Sequence, residues 1–312
     1  MPCIRIAPHH IHALPAGARG DTGVRNLNTL FDLTGRTAIV TGASAGLGVT
    51  FAEALASNGA NVVLAARRLE RLQEVAATLT ATGATVLPIT CDVSDATQVQ
   101  AMVARAAERF GRIDILVNNA GIVADIGPVP ERLPHELFLQ TVQVNLFGVW
   151  YCCREVGARM LSDGKGGSII NVSSILGLGG QQNFPPAYQA TKAAVINLGR
   201  ALACSWADRG VRVNALARGY FPSEMTDAFF ASPAFLEHVQ AQAPMGRVGR
   251  PDELAGALLF LASDASSFVT GQTIVVDGGF SASLGTLPLT DELLGLFEAV
   301  TPNGLGKRIM PQ

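Results

Sequence analysis

Short runs of apolar residues alternate along the chain with longer segments of helical periodicity from Gly35 onward. The short runs lack polar alternation, which is typical of strands that are buried on both faces of a sheet. They predict seven strands, at Thr37–Val40, Asn61–Ala65, Thr85–Ile89, Ile113–Val117, Ser168–Val172, Val211–Ala215 and Thr273–Val276. The longer segments predict helices, among them Gly46–Ser57, Glu70–Thr80, Ala96–Phe110, Glu136–Met160, Ala190–Ala207 and Asp252–Ala262.

This alternation of strands and helices predicts the fold class. Strand–helix–strand units connect parallel strands by right-handed crossovers, which place helices on the faces of the sheet. We therefore expect an α/β fold, a single domain over residues 35–280 with a doubly wound parallel sheet of about seven strands and helices on both faces. Residues 1–34 are predicted to form a flexible N-terminal extension, and residues 281–312 a C-terminal extension.

Composition and charge exclude several classes of protein. Apolar residues make up 48% of the 312-residue chain and charged residues only 15%, so the chain is not mainly disordered. The formal net charge is −2 without a basic stripe, which argues against nucleic-acid binding. No stretch approaches the roughly 20 apolar residues of a membrane span. The five cysteines form no CxxC pair, which fits a reducing compartment, and we expect a cytoplasmic protein.

The N-terminal segment leaves two alternatives open. Its arginines, with no acidic residue before Asp21, faintly resemble a transit peptide, but a flexible extension is the simpler interpretation. His9, His10 and His12 could bind a metal ion. Such a cluster in a tail is more often solvated, so we predict no metal site.

A glycine-rich loop, Thr41–Gly48, follows the first strand and leads into a helix. Glycines let the backbone approach a pyrophosphate, and the free N–H groups and dipole of the helix N-terminus attract it. The loop therefore predicts a dinucleotide-phosphate site formed by Gly42, Ser44, Gly46, Leu47 and Gly48. A tight strand–helix turn without a ligand is the alternative interpretation.

The end of the second strand bears on the choice of nucleotide. An acidic residue at this point binds the ribose 2′-hydroxyl of NAD, whereas an arginine accommodates the 2′-phosphate of NADP. The sequence has Ala66 at the position of the acid and Arg67 directly after it. A guanidinium group matches a phosphate in a bidentate manner, so the residues favour NADP, with NAD as the alternative. Arg67 and Arg68 could instead be simply solvated at the start of a helix.

Tyr188 and Lys192 lie four residues apart at the opening of a helix, so both side chains share one helix face. A nearby cation favours the phenolate and lowers the pKa of a tyrosine toward the range useful for acid–base catalysis. Ser173 and Ser174 follow the fifth strand, at the edge where open α/β sheets bind ligands. A serine hydroxyl there could bind a carbonyl oxygen. An ordinary surface pair on the helix and a turn-forming serine are the alternatives.

Together these residues resemble the short-chain dehydrogenase/reductase family, whose members combine a TGxxxGxG loop with a YxxxK pair. The resemblance covers about residues 34–281. Further motifs of the family follow in the expected order, at Cys91–Val93, Asn118–Gly121, Val144–Leu146, Asn214–Ala215 and Asp277–Gly279. The resemblance implies a Rossmann-like dinucleotide-binding fold and NAD(P)-dependent oxidoreductase activity. By analogy it also implies a homotetramer.

The resemblance implies a role for each matching residue. Tyr188 would be the acid–base catalyst, and Lys192 would lower its pKa and bind the nicotinamide ribose. Ser174 would orient the substrate carbonyl, and Asn145 would hold a water relay to the lysine. The implied cofactor contacts are Asp92 and Val93 at the adenine, Asn119, Ala120 and Gly121 beside the ribose, Ser223 at the carboxamide, and Gly219 and Phe221 in the loop before it.

The chain departs from the family pattern at three positions. Ser174 precedes Tyr188 by fourteen residues, one more than the pattern has, so Ser173 is the alternative serine. Arg218 stands where the pattern has the proline of a Pro-Gly pair. Ala45 stands where many NADP-dependent members carry a basic residue, which keeps NAD as an alternative cofactor.

The resulting hypothesis is an oxidoreductase that transfers a hydride between NADP(H) and a carbonyl or secondary alcohol carbon. Residues 220–245 are rich in aromatic and apolar side chains and are predicted to form a lid over an apolar ketone or a 3-oxoacyl substrate. Those side chains could instead pack within a helical flap and not touch substrate. A non-catalytic nucleotide-binding regulatory or scaffold protein of the same fold is the alternative function.

Overall fold

The computed structural model describes residues 27–126, 129–224, 226–285 and 290–292, and its centre is a parallel sheet. The strands are β1 (Thr37–Thr41), β2 (Asn61–Ala66), β3 (Val86–Thr90), β4 (Ile115–Asn118), β5 (Gly167–Ser174), β6 (Val211–Arg218) and β7 (Thr273–Val276). They form one seven-stranded sheet in the order β3-β2-β1-β4-β5-β6-β7, and each neighbouring pair is parallel. The predicted doubly wound α/β fold is confirmed.

Helices cover both faces of this sheet. They are α1 (Leu27–Leu30), α2 (Leu47–Ser57), α3 (Leu69–Ala81), α4 (Ala96–Phe110), α5 (His135–Val142), α6 (Val149–Asp163), α7 (Pro186–Trp206), α8 (Asp227–Phe230), α9 (Pro233–Gln242) and α10 (Ala255–Ala262). Residues of α2, α3 and α10 share one apolar core with the sheet, and residues of α4, α6 and α7 share a second core on the opposite face.

Burial on both faces explains the uninterrupted apolar strands. Along β1, every residue is buried, and successive side chains alternate between the two cores. Ile39 belongs to the core of α4, α6 and α7, whereas Val40 belongs to that of α2, α3 and α10. A polar residue at either position would be buried among apolar side chains without a partner, which is costly.

The strand order indicates where on the sheet a ligand would bind. The chain crosses from β1 to β2 and β3 on one side, and returns to β4 and β5 on the other. Crossovers that diverge in this way leave a crevice between the carboxyl ends of β1 and β4, where ligands of such sheets bind.

One predicted helix is divided in the structure. The periodicity predicts a single helix over Glu136–Met160, but α5 ends at Val142 and a π-helical turn, Gln143–Gly148, separates it from α6. Here a Cβ on Gly148 would lie 2.8 Å from Cγ2 of Val93, so only glycine fits against that side chain. The turn inserts an extra residue per helical turn, and such insertions are frequent at functional sites.

Leu33 packs against the domain from within the predicted N-terminal extension, residues 1–34. It is fully buried, and its backbone N–H donates to the carbonyl of Asn58 at 2.8 Å. The predictions for the three N-terminal histidines and for most of the two extensions fall outside the described residues. Among the helices that are described, none is both long and apolar enough to cross a membrane.

The packing of α3 gives the first testable prediction. Leu72 is fully buried, whereas Leu69 on the same helix is 38% exposed. Leu72→Ala should lower the free energy of unfolding by about 2–5 kcal/mol, because it removes apolar contacts and leaves a cavity. Leu69→Ala, the matched control, should lower it by less than about 1 kcal/mol. Urea unfolding at one protein concentration measures both variants, and equal losses would contradict this packing of α3.

Candidate active site

A cleft opens at the carboxyl edge of the sheet, beside the point where the strand order reverses. Most of the predicted site residues line it: Gly42, Ser44, Gly46, Leu47, Arg67, Asp92, Val93, Asn119, Ala120, Gly121, Tyr188, Lys192 and Ser223. Asn145 and Ser174 are buried beside it. The predicted contacts Gly48, Gly219 and Phe221 do not lie on its lining.

The glycine loop forms one wall of the cleft and has room for a ligand. Gly42 has φ +67° and Gly46 has φ +56°, in the region that favours glycine. A Cβ on Gly42 would lie 2.8 Å from the Cα of Ala120, and one on Gly48 would lie 2.2 Å from the carbonyl oxygen of Gly42. Gly48 therefore serves the close packing of loop and helix rather than the surface of the cleft.

The N-terminus of α2 fits a negatively charged group. Its cap residue, Gly46, offers no side chain, and no side chain caps the helix. The first N–H groups of a helix lack partners within the helix, and the helix dipole attracts an anion to them. The loop and the helix N-terminus together therefore suit the pyrophosphate of a dinucleotide.

Hydrogen bonds hold the glycine loop to the end of β4. The Oγ1 of Thr41 accepts from the backbone N–H groups of Asn119 and Ala120, each at 3.1 Å. The side-chain amide of Asn119 donates to the carbonyl oxygens of Thr41 at 3.0 Å and Gly42 at 3.2 Å. Asn119 thus fixes the loop as well as lining the cleft.

The end of β2 forms the basic end of the cleft. Ala66 and Arg67 line it, as the sequence predicts, and Arg67 is exposed. Arg68 is not simply solvated, because it donates to both carboxylate oxygens of Glu224 at 2.8 and 2.7 Å, and to Oγ of Ser44 at 3.2 Å. The hydrogen bond from Arg68 holds the pKa of Glu224 below its usual range.

Tyr188 and Lys192 lie in the first two turns of α7 and are both buried. The Nζ of Lys192 lies 5.6 Å from the centre of the Tyr188 ring and donates to the carbonyl oxygen of Val172 on β5 at 2.8 Å. The predicted juxtaposition of phenol and ammonium groups is therefore present, at the inner end of the cleft.

Opposing effects set the pKa of the Tyr188 phenol. Burial raises it, but the positive charges of Arg218 and Lys192 and a hydrogen bond with Ser174 outweigh burial, so the pKa lies below its usual value. For Lys192, burial lowers the pKa, the Tyr188 phenol opposes this, and the charge of Arg218 adds to it. A phenol that loses its proton more easily is suited to acid–base chemistry.

The two strand-end serines have different partners. Ser173 donates its hydroxyl hydrogen to the carbonyl of Lys192 at 2.9 Å, which ties β5 to α7. The hydroxyl of Ser174 lowers the pKa of the Tyr188 phenol, and its Oγ accepts from the N–H of Leu176 at 3.2 Å. Ser174 is therefore the serine beside the phenol, and Ser173 has a structural bond.

Asn145 lies in the π-helical turn and is fully buried. Its Oδ1 accepts from the N–H of Ile122 at 2.8 Å, and its Nδ2 donates to the carbonyl of the same residue at 2.9 Å. Both Asn145 and the Nζ of Lys192 lie close to Gly121, since a Cβ there would be 3.3 and 3.7 Å from them. The turn thus brings Asn145 to the lysine.

Asp125 is a positioning residue that the sequence analysis missed. Its fully buried carboxylate accepts from the N–H of Ala187, in the first turn of α7, at 2.6 Å, and from the hydroxyl of Thr141 at 2.9 Å. It therefore anchors the start of the helix that carries Tyr188. Pro185, the cap residue of α7, has no side chain that could accept from the first N–H groups of the helix. The sequence therefore indicated that these N–H groups need an acceptor from elsewhere in the chain, but not which residue supplies it.

An aromatic cluster lies next to Tyr188. Phe184 has its ring 6.3 Å from that of Tyr188 and 6.2 Å from that of Phe229. The cluster continues through Phe235, Tyr220 and Phe280, with ring centres 5.2 to 5.6 Å apart. Phe221, by contrast, is buried and lines a separate cavity behind this cluster, while Gly219 packs against Asp277.

The described cysteines and acidic groups offer no second chemistry in the cleft. Cys91 lines it, but burial raises the pKa of its thiol to about 11, so the thiol is protonated near neutral pH and is a poor nucleophile. Within the described ranges, no group of three or more His, Cys, Asp or Glu side chains is arranged to hold a metal ion.

Known proteins resemble the chain in sequence. The pattern of a family described as "Enoyl-(Acyl carrier protein) reductase" matches residues 42–281. Gluconate 5-dehydrogenase of Gluconobacter oxydans is 39% identical over 260 residues, 82% of this chain and 98% of that protein. The 3-oxoacyl-[acyl-carrier-protein] reductase FabG of Staphylococcus aureus is 39% identical over 245 residues, 78% of this chain and 97% of that protein.

A solved structure resembles the fold. A gluconate 5-dehydrogenase from Burkholderia cenocepacia, in complex with NADP and tartrate, superposes with a TM-score of 0.79 at 36% identity, over 83% of this chain and all of that one. These matches run through both the glycine loop and the Tyr188–Lys192 pair. The chain therefore belongs to the short-chain dehydrogenase/reductase family and is an NAD(P)-dependent oxidoreductase.

Proposed function

We propose that this protein transfers a hydride between NADP(H) and a carbonyl or secondary alcohol carbon of an apolar ketone or 3-oxoacyl substrate. The observation that carries the proposal is the buried Tyr188–Lys192 pair, which opens onto the same cleft as the glycine loop. A non-catalytic scaffold would not require a phenol and an ammonium group to be held together against the cost of burial.

The residues of the cleft suit a dinucleotide along its length. The glycine loop and the N-terminus of α2 would hold the pyrophosphate, and Asp92 and Val93 would contact the adenine. Asn119, Ala120 and Gly121 would lie beside a ribose, and Lys192 would bind the nicotinamide ribose. Ser223, which lies over Gly46, would contact the cofactor from the lid. When bound, the nicotinamide supplies or accepts the hydride.

The proton is handled by the chain's own side chains. In reduction, Tyr188 donates its hydroxyl hydrogen to the carbonyl oxygen of the substrate, which Ser174 holds in place. In oxidation, the phenolate removes the proton from the alcohol. Lys192 stabilises the phenolate, and Asn145 would hold a water through which the lysine recovers the proton. General acid–base catalysis of this kind contributes typically about 10²–10⁴-fold.

The substrate end of the cleft favours an apolar group. The ring of Phe184 lies next to that of Tyr188, the ring of Phe229 lies next to that of Phe184, and Tyr220 packs against the same apolar cluster. Phe229 and Tyr220 belong to the predicted lid, residues 220–245. A 3-oxoacyl substrate has support from the similarity to a 3-oxoacyl-[acyl-carrier-protein] reductase, and a hydroxy acid from that to gluconate 5-dehydrogenases. The homotetramer and the cytoplasmic location implied by the resemblance stay predictions.

The second prediction concerns the proton donor. Tyr188→Phe keeps the ring but loses the transferable proton, so it should reduce turnover at least about tenfold and leave the dissociation constant of NADPH nearly unchanged. Tyr151→Phe on α6, outside the cleft lining, is the matched control and should retain wild-type turnover. Steady-state kinetics and NADPH titration measure both variants. Retention of more than about a tenth of the turnover by Tyr188→Phe would refute proton donation by this residue.

The third prediction separates the two serines. Ser174→Ala should lower kcat about 10- to 1000-fold, because it removes a hydrogen bond made to the reacting oxygen, and its lost bond to the N–H of Leu176 should also lower the free energy of unfolding by about 1 kcal/mol. Ser173→Ala should lower the free energy of unfolding by a similar amount, because its bond joins β5 to α7, but should keep kcat near the wild-type value. Kinetics and urea unfolding of the pair decide between them. The opposite pattern would assign the catalytic role to Ser173.

The fourth prediction concerns the nucleotide. Arg67→Ala should weaken NADPH binding about ten- to a hundredfold and NADH binding little, since only NADPH carries the 2′-phosphate. Ala66→Asp should move the preference toward NADH by placing a carboxylate against that phosphate. The control is Arg71→Ala, an exposed arginine on α3 that pairs with Glu74. Calorimetric titration with both nucleotides tests this, and equal losses for the two would contradict the role of Arg67.

A further inference from the structure

Arg218 ends β6 on the lining of the cleft, at the position where the family pattern has proline. In the sheet register, its Cα lies opposite Ser174 of β5 and Val276 of β7. Residues paired across neighbouring parallel strands are about 4.8 Å apart and project to the same side of the sheet. The side chain of Arg218 therefore leaves the sheet beside Ser174, the serine whose hydroxyl lowers the pKa of Tyr188.

The guanidinium of Arg218 has no acidic partner in the part of the chain that the structure describes, although the side chain is half-buried. It donates to the carbonyl of the adjacent Gly219 at 3.2 Å. A guanidinium keeps its charge at every physiological pH, and a partly buried charge without a counterion is unfavourable. Such a group favours an anion from outside the chain.

The charge of Arg218 reaches the reacting groups. Burial raises the pKa of Tyr188, and the next largest influence is the charge of Arg218, which lowers it. The same charge adds to the lowering of the Lys192 pKa by burial. An anion bound at Arg218 would therefore lie within electrostatic range of the phenol.

The acidic side chains around Arg218 are engaged elsewhere. Asp277 directly follows the strand that pairs with Arg218, but its two carboxylate oxygens accept from backbone N–H groups of its own turn at 2.9 and 2.7 Å. On the cleft lining, Asp92 accepts from Ser94, and Glu224 is paired with Arg68 at the opposite end. The acidic side chains that the structure describes thus leave the charge of Arg218 available for a ligand.

We propose that Arg218 binds a carboxylate group of the substrate, so that the enzyme acts on an oxo acid or hydroxy acid with an apolar body. The inference rests on the proposed function and narrows its substrate class. The aromatic cluster around Phe184 receives the apolar body, while Ser174 and Tyr188 hold the reacting oxygen. Because Arg218 and Ser174 are neighbours in register, the carboxylate lies only a few carbon atoms from the reacting carbon.

Turnover of matched substrates tests the proposal. Short linear and cyclic oxo acids are each compared with their methyl esters in the NADPH-dependent reduction. The wild type should prefer at least one acid, and Arg218→Met should reduce kcat/KM for that acid by about ten- to a hundredfold. An effect through the pKa of Tyr188 would change acid and ester by the same factor, so the acid-to-ester ratio reports carboxylate binding alone. Arg218→Lys should restore part of the ratio.

Binding without turnover provides the second arm. Each acid is titrated calorimetrically into protein saturated with NADP⁺, and the dissociation constant of NADP⁺ is measured for each variant. Weaker binding of the acid to Arg218→Met, with NADP⁺ binding unchanged, supports the proposal. The exposed Arg250→Met, on the loop before α10, is the control and should bind like the wild type.

Three results would overturn the inference. The first is reduction of the esters with no preference for any acid, which leaves the proposed oxidoreductase function intact. The second is a loss of NADP⁺ affinity in Arg218→Met, which would assign the guanidinium to the phosphates of the cofactor. The third is equal binding of the acids by wild type and Arg218→Met, or no binding at all. If neither acids nor esters are reduced by the wild type, the proposed substrate class itself fails, and the calorimetric arm still decides the role of Arg218.

Discussion

The buried ammonium group of Lys192 is the constraint on which the rest of the active site depends. Removing a charge from water is costly, and burial lowers the pKa of this lysine accordingly. The carbonyl oxygen of Val172 and the phenol of Tyr188 compensate, and both are set by the packing of α7 against the end of β5. Any shift of that helix would leave a buried cation without a partner. Ser173 therefore matters through its bond to the Lys192 carbonyl, which joins β5 to α7.

Positively charged side chains lie at both ends of the cleft. At one end, Arg67 is exposed at the carboxyl end of β2, and Arg68 is paired with Glu224. At the other end, Arg218 lies close to Tyr188 without an acidic partner among the described residues. The ion pair of Arg68 lies largely in solvent, where such pairs contribute little stability. The half-buried Arg218 is screened less, so its charge acts more strongly on the neighbouring phenol.

The π-helical turn between α5 and α6 brings Asn145 to a position in the site that the helical periodicity of the sequence does not predict. A continuous helix would project Asn145 in a different direction, whereas the π-helical turn aims its amide at Ile122 and places it close to Lys192. Asp125 acts in a similar way from a loop, since it anchors the first turn of α7 from 62 residues away in sequence. Both are contacts between segments distant in the chain, and neither has a local pattern that specifies its partner.

The sequence by itself determined the seven strands, the two-sided burial of the sheet, the glycine loop and the pairing of Tyr188 with Lys192. These are local properties, since strand patterns and an i, i+4 spacing fix which side chains share a face whatever the rest of the chain does. Only the tertiary structure decided which serine faces the phenol, which partner Arg68 takes, and that Phe221 and Gly219 lie off the cleft. The burial of Leu33 was likewise decided by the tertiary structure, because it depends on the loop at Asn58. Such choices depend on the register and crossing of distant elements, which a linear pattern of apolar and polar residues does not encode.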